Sequence, residues 1–269
     1  MSAPTSLDHQ TKGYSLSHAY WMAQASALAY KDDPAIDQQA QAWKFDRVRH
    51  HRATFGPPFP LGELRAYTLA SNDMIITAFR GTEPAQIRDW LTDSSTPPWP
   101  GPARTGFVHY GFAQALDPLY PAVKEAVTGA RTNGQSVWFT GHGLGGSLAA
   151  LAVARLHLEE PRMRADGLYT FGQPRTFDQA LATAFNDAFN GRSYRFVNQN
   201  DIVAHMPSTP FTHADALKAI DSDGKVLDTT PGPSWRPTGG GSDAFAPDSA
   251  TARAHSMNTY LAFLEKNQA

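Results

Sequence analysis

The feature that most restricts the fold is an octapeptide, Phe139-Thr140-Gly141-His142-Gly143-Leu144-Gly145-Gly146, set between an apolar stretch and a run rich in Ala and Leu. Residues 137–140 have the length and character of a short buried strand, and residues 145–158 read as a helix. A strand that turns into a helix this sharply brings the two elements close together, which small residues at Gly141 and Gly145 permit. The central residue, Gly143, then takes strained backbone angles above the sheet. The helix N-terminus beyond it aims backbone N–H groups at any negative charge that develops there.

The rest of the chain alternates in the same way. Residues 15–30 carry Leu16, Tyr20, Ala23, Ala27 and Tyr30 at helical spacing, with Ser15 as N-cap. Residues 64–69 and 74–79 read as strands of a hairpin around Ser71-Asn72-Asp73. Residues 112–130 read as a helix interrupted or reset by Pro118 and Pro121. Beyond the octapeptide come a strand at 167–171, a helix at 177–189, a strand at 194–197 and a last helix at 256–265. Such alternation predicts an α/β fold: one mostly parallel sheet with helices on both faces. Residues 54–62, 94–106 and 226–250, rich in Pro and Gly, fall outside it; they read as surface loops, the places where lids and binding loops also occur. No repeat or linker divides the chain, so a single domain over residues 1–269 is expected.

Composition removes several kinds of chemistry. The 269 residues are 41% apolar and 18% charged with a net charge of −2, so no basic field draws nucleic acid, which is not an expected partner. Cysteine is absent, which excludes disulfides, thiolate metal sites and a thiol nucleophile while leaving the compartment open. Residues 1–12 are polar, unlike a signal peptide, and no apolar run reaches the length of a transmembrane segment. A soluble chain is expected, cytoplasmic or secreted with its leader removed.

A glycine-rich strand-to-helix turn also serves to cradle phosphate or a dinucleotide. Here no Gly-Lys-Ser/Thr ending is present, the turn comes mid-chain, and no acidic residue follows the next strand where a ribose partner belongs. The turn fits instead a nucleophile elbow in which glycine replaces the nucleophile. Ser147 is the nearest hydroxyl, but it lies on the helix beyond the turn and reads as a packing residue.

Further blocks occur in a telling order: Thr77-Ala78-Phe79-Arg80-Gly81-Thr82, Asp89-Trp90-Leu91-Thr92-Asp93, Val108-His109-Tyr110-Gly111-Phe112, the octapeptide, Thr170-Phe171-Gly172-Gln173-Pro174-Arg175, Asp201-Ile202-Val203-Ala204-His205-Met206-Pro207, and His255. With them the chain resembles the class 3 lipase family, the group that includes the secreted lipases of filamentous fungi, over roughly residues 65 to 265. The resemblance implies an α/β-hydrolase fold with a short lid segment, and a carboxylic-ester hydrolase working through a Ser-Asp-His triad and an acyl-enzyme, without metal or cofactor. The family has its serine where this chain has Gly143.

The resemblance assigns the triad acid to Asp201, which follows a strand at its C-terminal end, and the base to His255, read as the start of the last helix after a long loop. Leu144 N–H supplies one oxyanion donor, and the family pattern gives the second to Thr82, with Asp93 holding that loop. His142 and His205 read as structural. Residues 83–95, with Ile87, Trp90 and Leu91, suit an amphipathic lid over an acyl cleft that opens at a lipid–water interface; an ordinary packed helix has the same pattern.

The expected partner is an ester or lipid. Triacylglycerol lipase and esterase lead; phospholipase, feruloyl esterase and polyester hydrolase share the framework. Gly143 makes the chain as it stands inactive or nearly so. An engineered Ser→Gly substrate trap is favoured by the retained Asp201, His255 and Thr82, and the alternative is a natural non-catalytic ligand-binding protein.

Overall fold

A computed structural model describes residues 6–55, 62–82, 97–207, 210–227 and 249–268. Its centre is a seven-stranded sheet. The strands are β1 (Arg47–Phe55), β2 (Gly62–Ala70), β3 (Met74–Phe79), β6 (Ser136–His142), β7 (Gly167–Phe171), β8 (Ser193–Asn198) and β9 (Ala216–Ile220), in the order β1-β2-β3-β6-β7-β8-β9. β4 (Pro98–Pro100) and β5 (Phe107–His109) form a separate two-stranded ribbon. From β3 to β9 all neighbours are parallel, and β1 and β2 add antiparallel. The β2–β3 turn is closed by Ser71, whose Oγ accepts from Asp73 N at 3.3 Å and Met74 N at 3.1 Å.

Side-chain alternation along the central strands sorts the core into two faces. Ile75 and Phe79 of β3, Val137 and Phe139 of β6, and Leu168 of β7 point to one cluster. Met74, Ile76, Trp138, Tyr169 and Phe171 point to the other. The first face is covered by α3 (Tyr110–Leu116), α4 (Tyr120–Ala130), α5 (Leu144–Glu159) and α6 (Gln179–Phe189), the second by α1 (Leu16–Leu28) and α8 (Met257–Lys266). Burial on both faces explains why the central strands read as continuous apolar runs.

The caps sit where the sequence suggests. The Ser15 side chain accepts from His18 N at the start of α1, and Asp178 accepts from Leu181 N ahead of α6, which starts at Gln179 rather than Phe177. The helix expected over 112–130 is two, with Pro121 in the first turn of α4, a position that needs no amide hydrogen. The last helix is also two: α7 (Ala250–His255) and α8, parted at Ser256. His255 therefore closes α7 instead of opening the final helix. α2 (Asp33–Ala42), β1 and β9 were not expected from the sequence, and the 94–106 loop contains β4.

Three of the histidines buried in this framework are held well below their ordinary pKa. His18 packs edge-on to Trp138 and Tyr169, with ring centroids 4.3 Å and 5.3 Å away. Burial pulls its pKa down to about 4 against the opposing charge of Asp8. His51, held at 3.0 Å from Thr68 Oγ1, is lowered to about 4 by burial and by the charges of His50 and Arg49. Burial beside His255 takes His142 to about 3. Each takes up a proton near pH 6.5 when unfolded but resists it when folded, so stability is full above about 6.5 and is lost as pH falls toward the folded values. Asp215, pushed up to about 6 by burial, works the other way and offsets about one of the three. Unfolding free energies from urea melts are expected to fall between pH 7 and pH 5, by up to about 1.4 kcal/mol per pH unit for each unopposed histidine, and the midpoints with them. His18→Leu should flatten the profile. A midpoint that holds or rises over that interval contradicts the assignment.

Candidate active site

The octapeptide spans the end of β6 and the start of α5, and Gly143 sits between them at φ +55°, ψ −124°. Its N–H donates to Phe171 O at 2.9 Å, and its carbonyl accepts from Gly146 N at 3.0 Å. A side chain on Gly141 would strike the backbone of Gly145, and one on Gly145 would strike the Phe79 carbonyl, so both close approaches require glycine. The end of β3 thus presses on the first turn of α5.

β8 delivers the acid. Asp201 follows it, fully buried, and both carboxylate oxygens lie 2.9 Å from His255 Nδ1. Tyr260 O–H donates to Oδ2 at 2.6 Å, and Val203 N–H to Oδ1 at 3.0 Å. Burial would raise this carboxyl; the His255 charge and the hydrogen bonds from His255 and Tyr260 outweigh it and hold the group below its ordinary value. A carboxylate only accepts, so neutral His255 carries its proton on Nδ1 and keeps a lone pair on Nε2. Nε2 is buried without a hydrogen-bond partner among the described residues. It faces Gly143: a Cβ built there lies 2.8 Å from Nε2 and 3.2 Å from Cε1.

His142 packs behind the pair. Its ring centroid is 4.4 Å from that of His255, its Nε2 donates to the His255 carbonyl at 2.5 Å, and Tyr30 O–H lies 2.7 Å from its Nδ1. With the carbonyl fixing the proton on Nε2, Nδ1 accepts from Tyr30. Held neutral by burial, His142 supports the backbone of His255 without adding charge beside it. Gly172, at φ +59°, backs the other side: a Cβ there would lie 2.5 Å from Asp201 Oδ2 and 3.0 Å from the His255 ring. Tyr30, Gly172 and Tyr260 escaped the sequence reading as supports of this pair. Gly172 stood inside a quoted block, and Tyr260 is five positions beyond His255.

Leu144 is the first residue of α5, where an amide has no intrahelical acceptor. Thr82, half-buried, follows Gly81, whose Cα packs so tightly on the His142 carbonyl and Tyr30 hydroxyl that no side chain fits. The tip of β3 and the N-terminus of α5 therefore meet at the turn. Ser147 points elsewhere, its Oγ accepting from Thr176 Oγ1 at 2.9 Å. His205 lies in the 3₁₀ turn Val203–His205 after Asp201, whose ring partner is His255. Trp90 and Leu91, with Asp93, lie outside the described residues.

The turn predicts its own stability effect. Serine at φ +55° costs on the order of 1–3 kcal/mol, while glycine gives up about 0.5–1 kcal/mol of chain entropy. The contact at 2.8 Å adds a shift of an imidazole already anchored on two oxygens. Gly143→Ser is expected to lower stability by about 1–2 kcal/mol in paired urea melts. A more stable serine form would show that residue 143 is unstrained.

Residues 76–211 match the family model for Lipase (class 3). The chain belongs to the class 3 lipase family. Among curated relatives, a secreted mono- and diacylglycerol lipase of Fusarium solani is 31% identical over 161 residues, covering 57% of this chain and 45% of that one. A lipase of Rhizomucor miehei is 35% identical over 159 residues, covering 52% and 39%. The chain thus spans less than half the length of these relatives. Lipase II of Rhizopus niveus superposes with a TM-score of 0.58 at 24% identity, over 76% of this chain and 80% of that one. This likeness is one of fold, that of an α/β-hydrolase.

Proposed function

We propose that this class 3 lipase chain carries the site of a carboxylic-ester hydrolase, of the triacylglycerol lipase or esterase kind, that lacks its nucleophile at Gly143. One observation carries the reading: the buried His255 Nε2, oriented by Asp201 and without a hydrogen-bond partner among the described residues, is directed at the residue in the left-handed turn at the head of α5. With serine at 143, Nε2 would take the hydroxyl proton as Oγ attacked the ester carbonyl. Asp201 would stabilise the imidazolium, and Leu144 N–H with Thr82 would hold the oxyanion. The alcohol would leave with the proton from Nε2, and water would then release the acid by the same route.

The described elements belong to one framework, which supports a single unit acting on an ester or lipid substrate, with no call for nucleic acid. No helix among the described residues is long and apolar enough to cross a membrane. A lid over 83–95 opening at a lipid–water interface remains part of the reading. The test is labelling by a fluorophosphonate, together with turnover of 4-nitrophenyl esters of graded length, triglyceride emulsion and phospholipid. Gly143→Ser should be labelled at residue 143 and the glycine chain left unlabelled. A serine form that neither labels nor turns over any ester would refute the proposal.

A further inference from the structure

We infer that the glycine chain is itself a slow ester hydrolase, in which the Asp201–His255 pair activates water directly and no acyl-enzyme forms. The inference rests on the proposed ester site and names the reaction that the site performs without a serine.

The observation is the state of Nε2. His255 is 1% exposed, its Nδ1–H is committed to Asp201, and its ring is backed by His142 and Gly172. Nε2 alone is left with a lone pair, directed at Gly143, with no partner among the described residues. A buried polar atom without a partner requires an explanation, commonly a water or a catalytic role. Glycine at 143 adds the second half of the argument. The hydroxymethyl group it omits has roughly the size of a water, about 30 Å³. An oxygen at hydrogen-bond distance from Nε2, about 2.8 Å, would stand between the imidazole and the head of α5, on the side a serine hydroxymethyl would take. Such a water would have Nε2 as acceptor and the amides at the head of α5 as further polar partners.

The chemistry balances without any other reactant. Water gives a proton to Nε2 as its oxygen forms a bond to the ester carbonyl carbon, and the carbonyl electron pair moves onto oxygen, where Leu144 N–H and Thr82 receive it. Collapse re-forms the carbonyl and breaks the bond to the alcohol oxygen, which leaves with the proton from Nε2. One acid and one alcohol result, and His255 returns to its starting state. Asp201 holds the proton on Nδ1 throughout, so Nε2 is a base at the start of every cycle. A positioned base of this kind contributes about 10²- to 10⁴-fold.

The test uses the full glycine chain, 4-nitrophenyl butyrate, and prior treatment with a fluorophosphonate to silence serine hydrolases carried through purification. The expected result is steady hydrolysis that survives the phosphonate, shows no initial burst of nitrophenol, and falls about a hundredfold or more in both His255→Ala and Asp201→Asn. Urea melts of both variants check that each is folded. Asp201→Asn, of nearly the same shape, keeps the test open if His255→Ala does not fold. Turnover indifferent to both substitutions, or a burst or phosphonate label on the glycine chain, overturns the inference. If the glycine chain shows no turnover dependent on His255 while Gly143→Ser is labelled and gives a burst, the inference fails and the ester-hydrolase reading stands. If the serine form is inert as well, both fall.

Discussion

Gly143→Ser is expected to raise kcat for ester hydrolysis by on the order of a millionfold, the factor that loss of the nucleophile costs in a comparable serine hydrolase. The size of the effect follows from what is already in place. Asp201 is buried and accepts from His255 Nδ1–H, which leaves Nε2 free to act as base, and the first turn of α5 is set by glycine contacts with β3. Nothing else has to be built for Oγ to find its base. What the serine must overcome is small by comparison. Strain at φ +55° is on the order of 1–3 kcal/mol, whereas a millionfold corresponds to about 8 kcal/mol of transition-state free energy. The imidazole has also to draw back a few tenths of an ångström from a Cβ at 2.8 Å, which converts a tight contact into a hydrogen bond to Oγ. The gain should appear in kcat far more than in KM, because the hydroxyl acts in the transition state and adds little to ground-state binding. Steady-state kinetics on 4-nitrophenyl butyrate decide the matter: a gain of less than about a hundredfold in a folded serine form would mean that residue 143 is not the nucleophile position.

The parts of this arrangement that could be read in the sequence are those set by local rules. The octapeptide announces its own turn, because Gly141 and Gly145 are needed by contacts within a few residues of themselves and with the neighbouring strand. The central strands show as apolar runs because both their faces are buried. β1 hides for the opposite reason. It is an edge strand whose Arg47, Arg49, His50, His51 and Arg52 give no apolar alternation, and its pairing with β2 decides its conformation. Edge strands commonly carry such charge, which discourages pairing with other chains. Supports of the His255 pair were invisible for a different reason. Tyr30 reaches His142 across 112 positions and Tyr260 reaches Asp201 across 59, so no spacing rule links them. The boundary at Ser256 is also tertiary in origin: Asn198 Nδ2 donates to the Ala254 carbonyl at 3.0 Å and His142 to that of His255, which draws the end of α7 onto the sheet.

In the serine form, Asp201→Asn is expected to lower kcat by about 10⁴-fold and His255→Ala by up to about 10⁶-fold, with both variants folded. The two differ because they remove different things. His255→Ala takes away the base, so Oγ keeps its proton and the alcohol has no acid to leave with. Asp201→Asn keeps a side chain of almost the same shape where Tyr260 O–H and Val203 N–H converge. With the amide NH2 set toward the ring, Nδ1 meets a donor and must accept, so the imidazole turns to the tautomer with hydrogen on Nε2. That nitrogen then meets the serine hydroxyl as a donor, and the base is lost while the geometry survives. The buried charge is lost as well, so the imidazolium formed in the transition state has no carboxylate beside it. His205→Ala supplies the contrast. Its ring takes no part in the Asp201–His255 hydrogen bond, so kcat should stay within a few-fold while the urea midpoint falls. A His205→Ala enzyme as crippled as His255→Ala, or an Asp201→Asn enzyme with nearly full kcat, would show that the hydrogen-bonded Asp201–His255 pair beneath Gly143 belongs to the framework and not to the chemistry.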